Sequence, residues 1–227
     1  MITLTSQHPN LIERPAMFNR RIFTHLAAGA AVLALWGGQT QALAADEAPD
    51  ALIKRVSSEV LDTIKSDKAI AVDMTKIIAL VDSKIMPSVN FQRMTASAVG
   101  PAWRQATSEQ QKRLQEEFKT LLIRTYSGAL SQVSDQTLSF KPLRMAADDK
   151  EVIVRSEIRG RSDPIQLDYR LEKSGDNAWR IFNLNVMGIW LVDTYRTQFA
   201  QEINAGGVDG LIGALAARNK ANAAKKV

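Results

Sequence analysis

The apolar residues of this chain keep one period as far as Val133 and another from Thr137 to Met187. Before that junction they recur at three- and four-residue steps, the spacing that lines one face of an α-helix. After it they alternate, the spacing that lines one face of a strand. Four alternating segments follow in close order: TLSFKPL, EVIVRSEIR, IQLDYRL and WRIFNLNVM. Their connectors carry turn chemistry: Asp148-Asp149-Lys150, Gly160-Arg161-Ser162-Asp163-Pro164 and Lys173-Ser174-Gly175-Asp176-Asn177. None has room for the crossover helix that a parallel pair requires, so the strands form an antiparallel meander. Ile165, Leu167, Tyr169 and Leu171 alternate with Gln166, Asp168 and Arg170. That pattern covers one face of the sheet and leaves the other wet.

The helices before the junction are legible one by one. APDALIKRVSSEVLDTIKS places Leu52, Val56, Val60 and Ile64 on one face, and VDMTKIIALVDSKIMPSV does the same with Ile77, Leu80, Val81 and Ile85. Pro87 should end or kink that second helix near Met86. A short helix through NFQRMTASAVG closes at Gly100-Pro101. The next begins at a capping box, Thr107 with Gln110 or Ser108 with Gln111. It carries Leu114, Phe118, Leu121, Leu122, Tyr126, Ala129, Leu130 and Val133 on one stripe. Two more helices, IWLVDTYRTQFAQEI and VDGLIGALAARNK, follow the sheet on either side of Gly206-Gly207. Helices, a curled four-stranded antiparallel sheet, then helices covering one face make the class α+β.

Residues 1–44 have the composition of a secretory leader. Arg14, Arg20 and Arg21 precede the apolar run IFTHLAAGAAVLALW, and Ala42-Leu43-Ala44 supplies small-x-small before a cut. The run is too short for the roughly 20 apolar residues of a membrane span. Met17 to Ala44 already makes a complete leader, so the start falls at Met1 or Met17. Residues 45–227 then form a single domain with a basic tail, NAAKKV after Arg218 and Lys220. Both histidines, His8 and His25, leave with the leader, and the chain has no cysteine. A Ser-His-Asp triad, a Cys-His pair and a His/Cys zinc site are thereby excluded. Acid–base work by Asp, Glu, Lys or Tyr has no supporting spacing; Asp82 and Asp168 with Tyr126 and Tyr169 could suggest an isomerase-like cleft, but hydrogen-bonded core tyrosines are the simpler account. The remaining 26 Lys and Arg against 23 Asp and Glu give a net charge of about +3. That is too mild, and too scattered, for a nucleic-acid surface.

Two groups of residues are candidates for a site. Met94, Val99, Trp103, Phe118, Leu122 and Tyr126 on the helices should face Val154, Ile158, Leu167 and Tyr169 on the strands. Composition alone favours close packing there. The small residues Ala96, Ser97, Ala98 and Gly100 among them leave room that a packed core would fill. The second group is basic: Arg93, Arg104, Arg124, Arg144, Arg155, Arg159 and Arg161. Most of these read as solvated surface, with Arg159 and Arg161 flanking a hairpin glycine where a partner or headgroup has access.

The stretch LVDSKIMPSVNFQRMTASAVGPAWRQATSEQQKRLQEEFKTLLIRTYSGAL resembles the MlaC family of periplasmic phospholipid-binding proteins, also called toluene-tolerance auxiliary proteins. GIWLVDTYRTQFAQEINAGGVDGLIGAL matches the family's other end, so the resemblance runs from about Ile53 to Leu215. It implies a carrier with phospholipid acyl chains in an apolar cavity between sheet and helices. Met94, Ala98, Val99, Trp103, Phe118, Leu122, Tyr126, Val154, Ile158, Leu167 and Tyr169 would line the cavity. Arg93, Arg159 and Arg161 would meet headgroup or partner. It further implies no metal, no cofactor and no catalysis. The partners would be an MlaA-like outer-membrane lipoprotein complex and an MlaD-like inner-membrane ABC transporter with MCE domains. Two other classes fit the residues alone: an enzyme on a cone-shaped α+β fold acting on an apolar small molecule, and a structural subunit with a packed core.

Overall fold

The helical half starts at α1 (Pro49–Ser66), where proline in the first turn has no N–H to leave unpaired. Leu52, Ile53, Val56 and Ile64 are buried along it. A computed structural model describes residues 47–130, 136–160 and 163–224. The leader with its cut after Ala44, Val133, Arg161 and the last residues of the tail lie outside them. All described residues belong to one compact unit, Leu43–Val227.

After a 3-10 turn (Lys68–Val72), the Asp73 carboxylate caps α2 (Met74–Leu80), accepting from the N–H groups of Thr75 and Lys76 at 2.8 and 3.3 Å. The sequence predicts a regular helix as far as Met86. Instead α2 stops at Leu80, widens into a π turn (Val81–Ile85) and tightens into a 3-10 turn (Met86–Ser88). Pro87 offers no N–H to the turn before it, and in a regular helix its ring would crowd the Ser83 carbonyl. Upstream, the Ser83 hydroxyl donates to the Ala79 carbonyl at 2.7 Å. The disturbance spreads over more than a turn rather than ending the helix at one residue.

Asn90 caps α3 (Phe91–Val99), its Oδ1 accepting from Arg93 N–H at 3.0 Å. Gly100 ends the helix at φ 73 and ψ −146, a conformation that favours glycine. A 3-10 turn (Gly100–Arg104) leads to α4 (Ser108–Leu130). Its capping box is reciprocal: Gln110 N–H donates to Thr107 Oγ1 at 3.2 Å, and Thr107 N–H to Gln110 Oε1 at 2.9 Å.

The sheet is a meander of β1 (Thr137–Phe140), β2 (Glu151–Arg159), β3 (Ile165–Lys173), β4 (Trp179–Val186) and β5 (Ile189–Trp190), antiparallel in sequence order. It has five strands where alternation predicts four. Ile189 and Trp190, expected in the following helix, pair back on Val186 and Asn185. Two residues carry no readable period, so the sequence could not reveal this strand. β4 shows a second device. Its apolar phase runs Trp179, Ile181, then Leu184, Val186, a slip of one residue. Register between β3 and β4 shifts at Arg170/Leu171, so Phe182 is the extra residue of a bulge and both halves face inward.

α5 (Leu191–Ala223) is two helical segments broken at Gly206 and Gly207, as predicted. Asn183 Oδ1 accepts from Val192 N–H at 3.1 Å, holding its start. Asn219 Nδ2 ties its second half to Glu117 of α4, at 2.9 Å to the carbonyl and 2.7 Å to the carboxylate. Phe91, Phe118, Tyr195 and Phe199 meet edge-on or tilted at 5.0–5.8 Å between ring centres, joining α3, α4 and α5.

Candidate functional site

The register aligns one face of the sheet in rows. Val152, Leu171 and Ile181 form the first, Val154, Tyr169 and Leu184 the second, and Ser156, Leu167 and Val186 the third. Ile158 and Ile165 end the series. Coverage falls along it. Val152, Leu171 and Ile181 are buried under Leu52, Ile53 and Val56 of α1, together with Val154 and Trp179. Tyr169, Leu184, Leu167, Val186 and Ile158 are half-buried, and Ile165 is 39% exposed. Leu184 and Val186 pack instead on the helical cluster of α3, α4 and α5. One apolar face is thus sealed at one end and open at the other.

The expected lining residues divide the same way. Met94, Ala98, Val99 and Phe118 are buried in the helical cluster, with Trp103 and Leu122 half-buried on its edge. Val154 is buried and Tyr169 half-buried in the cluster under α1. Ile158 and Leu167 lie farther along the same sheet face, at its open end. Tyr126 is 39% exposed, and its hydroxyl interacts with that of Tyr195. Burial raises the pKa of Tyr126, Tyr169 and Tyr195, so all three remain neutral hydroxyls at neutral pH. Sequence reasoning missed the contribution of α5: Val192, Tyr195, Phe199, Ile203, Val208 and Ile212 complete the helical side. Their three- and four-residue spacing on either side of the Gly206-Gly207 break was the available signal.

The basic candidates are placed differently from one another. Arg93 binds the carboxylates of Glu172 and Glu151 and lies 3.7 Å above the Phe182 ring. Asn90 Nδ2 also donates to Glu172, at 2.7 Å. Arg159 is exposed and pairs with Glu157 at 2.9 Å. The outer face of the sheet carries a groove of about 380 Å³ lined by Arg144, Arg155 and Arg170 with Pro142, Ile153 and Phe182. Two of those arginines face Asp168 and Asp193 at 3.9 Å, which evens its charge. Among the described residues, no group of three or more His, Cys, Asp or Glu is placed to hold a metal. No helix among them is long and apolar enough to cross a membrane.

Comparison with known proteins gives this geometry a context. The chain superposes on a phospholipid-binding protein from Ralstonia solanacearum, solved in complex with a phospholipid, with a TM-score of 0.74 and 46% identity. The match covers 77% of this chain and 98% of that one. The toluene tolerance protein ttg2D of Pseudomonas putida is 27% identical over 168 residues, 73% of this chain and 77% of its own. The intermembrane phospholipid transport system binding protein MlaC of Haemophilus influenzae is 20% identical over 177 residues, 76% of this chain and 83% of its own. The family described as MlaC protein matches residues 54–217, which contain the whole sheet, all of α2, α3 and α4 and most of α1 and α5. The chain belongs to the MlaC family.

Proposed function

We propose that this protein carries glycerophospholipid through the periplasm, with the acyl chains lying along the open end of the sheet's apolar face. Leu122, Tyr126 and Trp103 would line the chains from the helices; Ile158, Leu167, Tyr169, Leu184 and Val186 would do so from the sheet. Met94, Ala98, Val99, Phe118 and Val154 would form the packed wall behind. One observation carries the reading. A face of β-branched and aliphatic side chains is left half-covered in a fold that, in a 46% identical protein, was solved with phospholipid bound.

The physics suits a carrier. Removing acyl methylenes from water stabilises the complex by about 0.8 kcal/mol each. A bilayer offers nearly the same, so an apolar cleft without a strong polar grip leaves transfer close to balance. Partners then decide its direction. Lipid would pass between an MlaA-like outer-membrane lipoprotein complex and an MlaD-like inner-membrane transporter bearing MCE domains, in the sense that maintains outer-membrane asymmetry. Arg159 and Arg161, at the β2–β3 hairpin, would contact these partners, and residues 1–44 would direct export.

The test is extraction of lipid from exported protein purified without detergent, followed by mass spectrometry. Phospholipid near one molecule per chain is expected. Protein that emerges lipid-free, and that takes up no lipid from phosphatidylethanolamine vesicles, would overturn the reading.

A further inference from the structure

The open end of the apolar face does not stop at β4. Val186 pairs with Ile189 of β5, and residues directly opposite each other on paired strands point to the same face. Ile189 therefore continues the row Ser156, Leu167, Val186 to the edge of the sheet. It is 58% exposed, and Met187, in the turn between the two strands, is 69% exposed. The turn is pinned by two hydrogen bonds. Met187 N–H donates to the Gln166 carbonyl at 3.0 Å, and Gly188 N–H donates to Asn185 Oδ1 at 2.9 Å. The first sets the tip beside Ile165, itself exposed at the end of the same face. Among the described residues six large apolar side chains are exposed, and three of them stand at this corner. That concentration separates it from the single hydrophobics scattered over an ordinary surface.

Met187 is the more telling residue. It holds φ 52, where asparagine or glycine fits better, and the hydrogen bonds around it fix a conformation that its own side chain disfavours. An apolar side chain kept strained and in water gives the fold nothing that asparagine would not. It has a use if lipid covers it. From this arrangement we propose that Met187 and Ile189, with Ile165, form the lip of the cleft and bind the acyl methylenes next to the lipid's glycerol esters. The inference rests on the carrier reading and adds to it contact residues at the mouth. With methyl ends toward the sealed row Val152, Leu171, Ile181, each chain brings its ester end to the open end of the sheet. A dry ledge there takes the upper methylenes out of water. The unbranched thioether of Met187 adapts to chains of differing shape, and Ile189 supplies a stiff β-branched surface beside it.

The protein is stripped of lipid, part of it is reloaded with phosphatidylethanolamine, and both forms are treated with dilute hydrogen peroxide. Peroxide transfers one oxygen atom to a thioether and leaves water, at a rate that follows exposure. Peptide mass spectrometry reads sulfoxide at Met187 and, as a reference, at Met145. Met145 is 41% exposed in the β1–β2 connection, which enters β2 at the sealed end of the sheet. Loading should slow oxidation of Met187 severalfold and leave Met145 unchanged. Transfer of bound lipid to acceptor vesicles is then timed. Ile189→Thr keeps the β-branched shape and should release lipid about tenfold faster, since part of one isoleucine's burial is worth roughly that factor. Ile189→Leu should release it at the wild-type rate. Met187→Asn, which relieves the turn, should also release lipid faster although its lipid-free form is the more stable. Loaded wild-type protein whose Met187 oxidises as fast as in the stripped form overturns the lip and leaves the carrier reading intact. Threonine and asparagine variants that hold lipid as wild type does also overturn it. Wild-type protein that loads no lipid at all sinks the carrier reading and the lip together.

Discussion

Met187 occupies the first position of a two-residue hairpin turn at φ 52, followed by Gly188 at φ 88. Turns of this kind favour Asn-Gly, because asparagine tolerates the left-handed region better than an unbranched apolar residue. Met187 is also 69% exposed, so its side chain contributes little packing to offset the strain. Met187→Asn should therefore stabilise the protein by about 0.5–1 kcal/mol, read as a higher urea midpoint at unchanged slope; an unchanged midpoint would mean the turn is not strained. Arg93 makes the opposite case. The sequence gives a basic residue beside a pocket-like stretch, and a headgroup or partner contact is the natural expectation. In the fold its guanidinium joins α3 to β2 and β3 through Glu151 and Glu172. Arg93→Ala should cost about 1–2 kcal/mol, less than a buried charge pair would because the group is about one-third exposed. Lipid content should not change. Loss of lipid at an unchanged melting temperature would return Arg93 to the binding site.

The break in α5 rests on two glycines that are not equivalent. Gly206 has φ −146, which any residue adopts, whereas Gly207 has φ 66 and ψ −162, which side chains rarely enter. A Cβ at either would meet nothing within 4 Å, so any penalty is backbone strain and not a clash. Gly207→Ala should cost about 1–3 kcal/mol, and Gly206→Ala close to none, compared by denaturant midpoints. Equal effects would show that the break is set by packing rather than by backbone conformation. Gly206-Gly207 was legible in the sequence, as were the capping box at Thr107 and the bounds of β2, because each depends on local chemistry. What was not legible depended on partners distant in the chain. The Phe182 bulge needs the register with β3, and β5 needs the end of β4 to pair with. The π turn after Leu80 needs the energetic balance around Pro87, where the motif alone says only that a helix is disturbed.

At the scale of the whole unit, the sequence identified the elements but neither their pairing nor how deeply each residue lies: Val154 and Tyr169, expected opposite α4, pack with α1. Small residues at Ala96 to Gly100 suggested vacancy, yet Ala98 is fully buried in the helical cluster beside Phe118 and Leu121. Leu122, one step around α4, is only half-buried. Burial depends on how α3, α4, α5 and the sheet pack together, and no local pattern records it. That difference yields a test of where packing ends and the cleft begins. Ala98→Trp forces a large ring into close-packed surroundings, which should cost at least about 1–3 kcal/mol in the lipid-free protein. Leu122→Trp places the same ring at the unsealed seam, where the space is available to an acyl chain. Lipid-free Leu122→Trp should unfold near the wild-type denaturant midpoint, while bound phospholipid falls in extracts of the purified variant. If Leu122→Trp instead lost stability as Ala98→Trp does and kept its full lipid, the seam would belong to the core. The acyl chains would then have to lie elsewhere along the open end of the sheet, nearer Ile158 and Ile165.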